Sequence, residues 1–427
     1  MSIKHILKSF TTIRQGIARV AAIAVACITL SSVADQTIST DTTLTENVDG
    51  KLTVENGASV RIGESISVGS YAINSGTLTI AAGKTFRATD SASNYLGVDT
   101  ANEGSYWHTG NVGAIVLEEN AVMEDTSNRG VHLFTSRWGS EARIVVGSGA
   151  RLNLDWKYIK ANGNTSNENR NRDNRLVLDI SGQMTVGEIN TMDWFYNSGA
   201  SGNPRSWPTN MVVNLHEGGT LSIRSIQNSY DTAQSLFNFD GGTLKFRWDS
   251  NFLHDGNPPA EFHFETGSRG VLNTDGHNVN LTSANRTFLS GDGAMEKTGN
   301  GTLTINTSYC DASDFTGDIY LTGGTLNFPI VADGIARKVY FQGGALAVPE
   351  NGTFVTVANG GSVEFVSVDG AAIRLISNGN AKLCPAGSVV RCSGTGSPVF
   401  EGSFAPAEKS SAAPIPTARS ASPCRLA

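Results

Sequence analysis

Gly301-Thr302-Leu303-Thr304-Ile305 and Gly324-Thr325-Leu326-Asn327-Phe328 share one phrase: glycine, a small residue, then apolar, polar, apolar. It returns as Gly50-Lys51-Leu52-Thr53-Val54, Gly76-Thr77-Leu78-Thr79-Ile80, Gly219-Thr220-Leu221-Ser222-Ile223 and Gly242-Thr243-Leu244-Lys245-Phe246. Gly344-Ala345-Leu346-Ala347-Val348 and Gly361-Ser362-Val363-Glu364-Phe365 bring the copies to eight. Period-two alternation puts Leu, Ile or Phe on one face and Thr, Ser or Lys on the other, so each copy is a short strand opened by a glycine turn. So short a strand cannot bury its apolar face alone. Several copies follow one another closely (Gly219 to Gly242, Gly301 to Gly324, Gly324 to Gly344, Gly344 to Gly361). Their spacing is near that of one coil of a stacked solenoid. In such a stack each inward Leu, Ile, Val or Phe contributes roughly 1.5–3 kcal/mol on full burial. A β-sandwich would need hairpin turns at intervals of about 8–12 residues. Asp49-Gly50 and Asn56-Gly57 are turn pairs of that kind, but the phrase itself repeats at coil length. The reading is an all-β chain wound as a parallel β-helix.

Composition agrees. The 427 residues include 47 Gly and 12 Pro, with abundant Thr, Ser and Asn, which suits many short strands joined by tight turns. Lys and Arg number 32 against 39 Asp and Glu, a net charge of −7 with no basic stripe, which argues against nucleic acid as a partner.

The segment from Met1 to Ala34 is of another kind. Lys4, Lys8, Arg14 and Arg19 precede an apolar run from Val20 to Leu30. That run is too short to cross a bilayer, which takes about 20 residues. Ser32-Val33-Ala34 offers small residues where a signal peptidase reads, so 1–34 is a signal peptide, cleaved between Ala34 and Asp35. Its loss removes those four cations and no acid, taking the net charge from −7 to −11, and no later stretch is long and apolar enough for a membrane helix. A secreted or cell-surface, outer-membrane-associated protein is expected. Cys310, Cys384, Cys392 and Cys424 remain, too few for a disulfide framework. Cys384 and Cys392 are near enough in sequence to form one bridge, unpaired thiols being the other reading.

Periodicity is clean over 50–90 and 289–365 and interrupted over 91–210. Asn162 to Asn174 and Asn197 to Pro208 are long polar stretches between rungs still visible as Ala142-Arg143-Ile144-Val145-Val146 and Arg175-Leu176-Val177-Leu178-Asp179-Ile180. These are loop excursions, where a β-helix carries its specificity. The chain turns to Ala, Pro, Ser and Lys after about Phe404, so a β-helix over 35–403 and a disordered tail over 404–427 are expected.

From Val271 to Phe328 the sequence resembles the passenger-associated transport repeat, also called the autotransporter-associated β-strand repeat. The resemblance is carried by Leu272-Asn273-Thr274-Asp275-Gly276-His277-Asn278-Val279, Leu289-Ser290-Gly291-Asp292-Gly293 and Lys297-Thr298-Gly299-Asn300-Gly301-Thr302-Leu303-Thr304-Ile305. It closes with Phe315-Thr316-Gly317-Asp318-Ile319-Tyr320 and Gly323 to Phe328, in the order of the repeat, and covers a small part of the chain. Met295-Glu296 replace a more usual Leu-polar pair. The resemblance implies a right-handed β-helix that folds outside the cell, with this repeat helping passenger export. Such passengers normally precede a β-barrel with a terminal aromatic residue. Nothing after Val366 reads as the alternating strands of a barrel, and the chain ends Pro423-Cys424-Arg425-Leu426-Ala427. A passenger-like part without its barrel is expected.

Many β-helices cleave acidic polysaccharides, and Asn273-Thr274-Asp275-Gly276 looks like the Asn-Thr-Asp motif of polygalacturonases. Those enzymes need further carboxylates on the next coil, where only Asp292 stands, between Gly291 and Gly293. No three acids are spaced for calcium, no Gly-x-Ser-x-Gly elbow occurs, and the seven His show no helical pair. No catalytic residue, metal or cofactor is expected. The aromatic residues are more suggestive. All six Trp fall between 107 and 248, among the long loops. Asp155-Trp156-Lys157-Tyr158 and Asp193-Trp194-Phe195-Tyr196 pair rings with polar neighbours as sugar-stacking platforms do. Trp156, Tyr158, Trp194, Tyr196 and Trp207 are therefore the candidate contact residues for a glycan or a host or neighbouring cell surface. The functional expectation is a non-enzymatic adhesin or envelope component of autotransporter-passenger type. A polysaccharide-active lyase or hydrolase on the same scaffold is the alternative.

Overall fold

A computed structural model describes residues 35–90, 94–97, 112–125, 141–160, 174–190, 209–227, 235–254, 260–281, 287–306, 308–385, 390–405 and 424–426. The expected signal segment lies outside them. Among the described residues every regular element is a strand, and nearly all pair in parallel. The chain is a parallel β-helix. Successive strands visit different sheets: Val48–Val54 belongs to a long sheet, Ala58–Ile62 to an eleven-stranded one, Ile66–Ile73 to the long one again. The eleven-stranded sheet runs from Thr42–Leu44 to Cys310–Phe315 in strict chain order. A third sheet of seven strands begins at Ser250–Asn251 and ends at Pro398–Phe404.

The register shows why the alternation suffices. In the eleven-stranded sheet Val60 pairs with Leu78, Leu78 with Ile115, Ile115 with Ile144, and Ile144 with Leu178. The column continues through Val213, Phe237 and Phe262 to Leu289, every member buried. Where it turns aromatic, Phe237 stacks on Phe262 and Phe239 on Phe264, with ring centres 4.9 Å apart in both pairs. Parallel in-register pairing puts like on like, so one apolar choice per coil builds a continuous core.

Before residue 250 the third face is made by long strands that carry on past a bend. Arg151–Lys160 shifts register between Leu154 and Tyr158 as it pairs with Gln183–Asn190. Beyond the shift Ile159, Ile189, Ile226 and Leu253 form a further buried column. Phe252 N then donates to Asn280 O, handing the column to the third sheet.

Coil length is uneven. Val60 and Leu78 are neighbours joined by a short piece of chain, whereas Leu78 to Ile115 and Leu178 to Val213 each take up far more sequence for the same single step. The columns stay in register across these longer steps. The repeated phrase is also not one face of one coil. Thr302–Thr304, Thr325–Asn327 and Ala345–Val348 stack in the third sheet, but Ser362–Ser367 belongs to the long sheet and Gly76–Ile80 to the eleven-stranded one. The step from Gly344 to Gly361 is therefore a move between faces, not a coil.

Two positions show what its glycines do. Asn56 and Gly57 have φ of +57° and +76° and turn the corner between Val48–Val54 and Ala58–Ile62, in different sheets, rather than a hairpin. Gly301 needs its missing side chain for room: a Cβ there would overlap the carbonyl oxygen of His277 on the coil before. At the C-terminal end Phe404 closes the strand Pro398–Phe404, and Cys424–Leu426 pairs antiparallel with Val390–Ser393. Residues 406–423 lie outside the described ones.

Candidate functional site

The outward face of the long sheet carries the most developed surface. The residues between the inward Leu152, Met184, Leu221, Leu244 and Leu272 point outward and stack rung on rung. One outward ladder runs Asn153, Thr185, Ser222, Lys245, Asn273, and the adjacent one runs Arg151, Gln183, Thr220, Thr243, Val271. A groove of about 460 Å³ lies across these rungs. Arg151, Lys245 and Arg247 bring cations to it, and Asn153, Gln183, Thr185 and Ser222 bring amides and hydroxyls. The one carboxylate among its described lining residues, Asp275, sits with its Oδ2 3.0 Å from Lys245 Nζ. Upstream, Glu124 occupies the rung next to Asn153 and is paired at 2.8 Å with Arg87. Outside the lining residues Trp248, 42% exposed, takes the guanidinium of Arg224 over its ring at 5.1 Å.

The ladder through Val271 continues to Glu296, Tyr320 and Tyr340, where it turns aromatic. Tyr320 stacks on Tyr340 at 4.3 Å and 7°, and Arg269 lies over Tyr320 at 3.7 Å. Arg269 also reaches Glu296 at 3.5 Å. Burial against the sheet, then Tyr320 and the charges of Asp318 and Glu364, push the Tyr340 hydroxyl up to about 12.

The sequence-derived candidates fall elsewhere. Trp194, Tyr196 and Trp207 lie outside the described residues. Trp156 and Tyr158 belong to Arg151–Lys160, the strand that also gives the groove Arg151 and Asn153, with their own side chains outside the description. Cys384 and Cys392 are thiols in the structure, Cys392 buried and Cys384 half-buried against the core. Sequence reasoning missed the groove. Its signal was the polar middle position of the phrase, Ser222 in Gly219–Ile223 and Lys245 in Gly242–Phe246, which alternation already turned outward.

The Asn273-Thr274-Asp275 motif is a turn. Asn273 Oδ1 accepts from the Asp275 amide at 2.8 Å, Asp275 has φ of +50°, and Thr274 is buried beneath Lys297. Asp292 Oδ1 accepts from Thr266 Oγ1 at 2.6 Å. Among the described residues no three His, Cys, Asp or Glu side chains gather where a metal ion could sit. Glycoside hydrolysis uses two carboxylates across the bond, about 5–9.5 Å apart. The described groove lining offers Asp275 alone, engaged by Lys245.

Lys297 is the unexpected interior residue. It occupies an inward rung between Leu272 and Leu321 and is fully buried. Its Nζ donates toward Thr274 Oγ1 (3.0 Å) and the carbonyls of Thr298 (2.8 Å), Gly299 (2.8 Å) and Gly323 (3.0 Å). Burial pulls its ammonium down to about 8. Arg337 is buried likewise, donating to Phe315 O and lying 4.9 Å over the Phe315 ring. Both cations are enclosed and serve the coil. The groove, open and polar across stacked rungs, can hold an extended hydrogen-bonding ligand. Among the described residues no helix is long and apolar enough to cross a membrane. Comparison with protein-family models, curated protein sequences and solved structures returns no match for this chain.

Proposed function

We propose that the chain is an exported β-helix of passenger type, displayed at the cell surface, which acts by contact as an adhesin or envelope component and turns no substrate over. The observation that carries this reading is the outward groove, set across successive rungs of the long sheet. Its side chains bind, and the single carboxylate of its described lining is held by Lys245, so that lining lacks an acid–base pair. The leader-like residues 1–34 and the transport-type repeat over 271–328 support the exported, passenger-like part of the reading. In this view the glycan-facing surface lies on the sheet itself.

The test is made on cells expressing the whole gene. Antibody labelling of intact cells, N-terminal sequencing of the recovered chain and adhesion to glycan-coated surfaces are measured together. The expected result is surface labelling, a chain beginning at Asp35, and adhesion. An intracellular chain still starting at Met1 would sink the reading. New reducing ends or unsaturated products from any polysaccharide would replace it with the enzymatic alternative.

A further inference from the structure

The groove's composition goes against that of its chain. The protein has a net charge of −7, yet the described lining gathers Arg151, Lys245 and Arg247 against Asp275 alone. Charge of one sign collected in a concave site raises the local concentration of ligands of the other sign. Arg151 and Arg247 present planar guanidinium forks, the group best matched to carboxylate or sulfate oxygens. Between them lie small hydroxyls and amides rather than rings: Gln183, Thr185 and Ser222 can each donate and accept, as sugar hydroxyls require. Among the described residues no aromatic side chain lines the groove. A single-stranded nucleic acid would call for rings on which its bases stack.

Direction and length follow from the register. The lining residues come from four parallel strands, Arg151–Lys160, Gln183–Asn190, Thr220–Gln227 and Thr243–Phe246, and from Asp275, just beyond the next strand, Arg269–Asn273. At about 4.8 Å between strands the site extends about 19 Å along the solenoid axis. Arg151 stands on the first rung, and Lys245 and Arg247 come from the fourth strand and its end. About 14 Å separates the first rung from the fourth, so a ligand lying along the axis meets cations at both ends. We infer that the groove binds a linear anionic glycan, its chain parallel to the solenoid axis and its carboxylate or sulfate groups on Arg151 and on the Lys245–Arg247 end. This deepens the contact reading above and rests on it.

The full chain is tested against polygalacturonate, a heparin-type sulfated glycan, dextran and single-stranded DNA, each immobilised, with short and long oligomers of the charged glycans as competitors. Arg151→Gln/Arg247→Gln is compared with Arg374→Gln, which alters a half-buried cation on the third sheet, paired with Glu401. Both polyanions, or one of them, should bind, with affinity falling as salt rises; the pair identifies carboxylate or sulfate as the source. The double variant should bind at least tenfold more weakly with an unchanged circular dichroism spectrum, and Arg374→Gln should bind as the parent does. Oligomers too short to span both ends should compete poorly. Lys245→Gln is the second variant should the double one misfold. Dextran bound as well as the charged glycans overturns the charge assignment and leaves the contact function standing. DNA bound as tightly as the glycans overturns the glycan assignment. Binding of no glycan by a chain that still adheres to cells removes the groove, whereas loss of adhesion itself removes the function proposed above.

Discussion

The Nζ of Lys297 lies 3.0 Å from the Oγ1 of Thr274 in the neighbouring coil, inside the solenoid, with three backbone carbonyls completing its surroundings. An ammonium held there without a carboxylate makes stability depend on pH in an unusual direction. Its folded pKa is about 8 and its ordinary value 10.5, so below pH 8 both states carry the proton and the desolvation cost is fully present. Between about pH 8 and 10.5 the unfolded chain holds the proton that the folded one has released, and stability rises with pH, by at most about 3 kcal/mol. Cys310 works against it: burial, then Asp311, pushes its thiol up to about 12, so its contribution falls as pH rises above about 9. Denaturant unfolding of the parent and Lys297→Met from about pH 7 to 10.5 isolates the lysine. The stability difference, parent minus variant, should grow as pH rises; a constant difference would refute the titration.

Lys297→Met fills the same rung but leaves the Thr274 hydroxyl and the carbonyls of Thr298, Gly299 and Gly323 without their donor. At pH 7 the loss should be about 1–3 kcal/mol, the usual scale for a buried polar group left unmade, reduced by relief from burying the charge. Adding Thr274→Val should return part of it, which a double-mutant cycle in urea measures.

Gly301→Ala places a methyl group against the carbonyl oxygen of His277. The coil must shift to admit it, and overpacking of this kind costs roughly 1–3 kcal/mol. Thermal unfolding should show a lowered Tm, while alanine at the exposed neighbour Asn300 should leave Tm nearly unchanged.

Core and surface should separate cleanly. Phe262 is fully buried and stacked at 4.9 Å on Phe237, so Phe262→Ala should cost about 3–5 kcal/mol. Arg61 meets Glu118 with two hydrogen bonds of 2.5 and 2.7 Å, but on the surface. Arg61→Gln should cost under about 1 kcal/mol, and less in high salt. Chemical denaturation of both variants tests the order.

Thiol labelling offers a check on the interior. Cys310 and Cys392 are buried, and Cys384 is only half-buried. At mildly alkaline pH an alkylating reagent should modify Cys384 first and leave Cys310 untouched until guanidinium is added, as peptide mass mapping would report.

The strands were legible because alternation of period two is local: Leu221 and Ile223 declare their face without any knowledge of the rest of the chain. The coil boundaries were less so. Gly344 and Gly361 carry the same phrase on different sheets, since any strand, on any face, needs the same glycine entry and the same inward pair. Lys297 was readable in principle, because it alternates with Met295 and so shares its inward face. A lysine there is believed only when its oxygen partners are seen, and two of the four come from Thr274 and Gly323, about a coil to either side. The groove was hidden for a related reason. Thr185 and Ser222 are polar outward residues like many others until register sets them side by side, across the long stretch that separates their strands in sequence.

The groove is ruled like a measuring scale. Its graduations are the hydrogen-bonded steps between coils, which no side-chain substitution alters, whereas the label on each graduation, an amide at Asn153, a hydroxyl at Ser222, a charge at Lys245, is free to change one residue at a time. The step from Leu178 to Val213 takes up far more sequence than that from Val60 to Leu78 and leaves the ruling intact, because the two residues still pair in register. What the scaffold fixes is thus the spacing at which a ligand is read, and what the sequence writes on it is the ligand's chemistry.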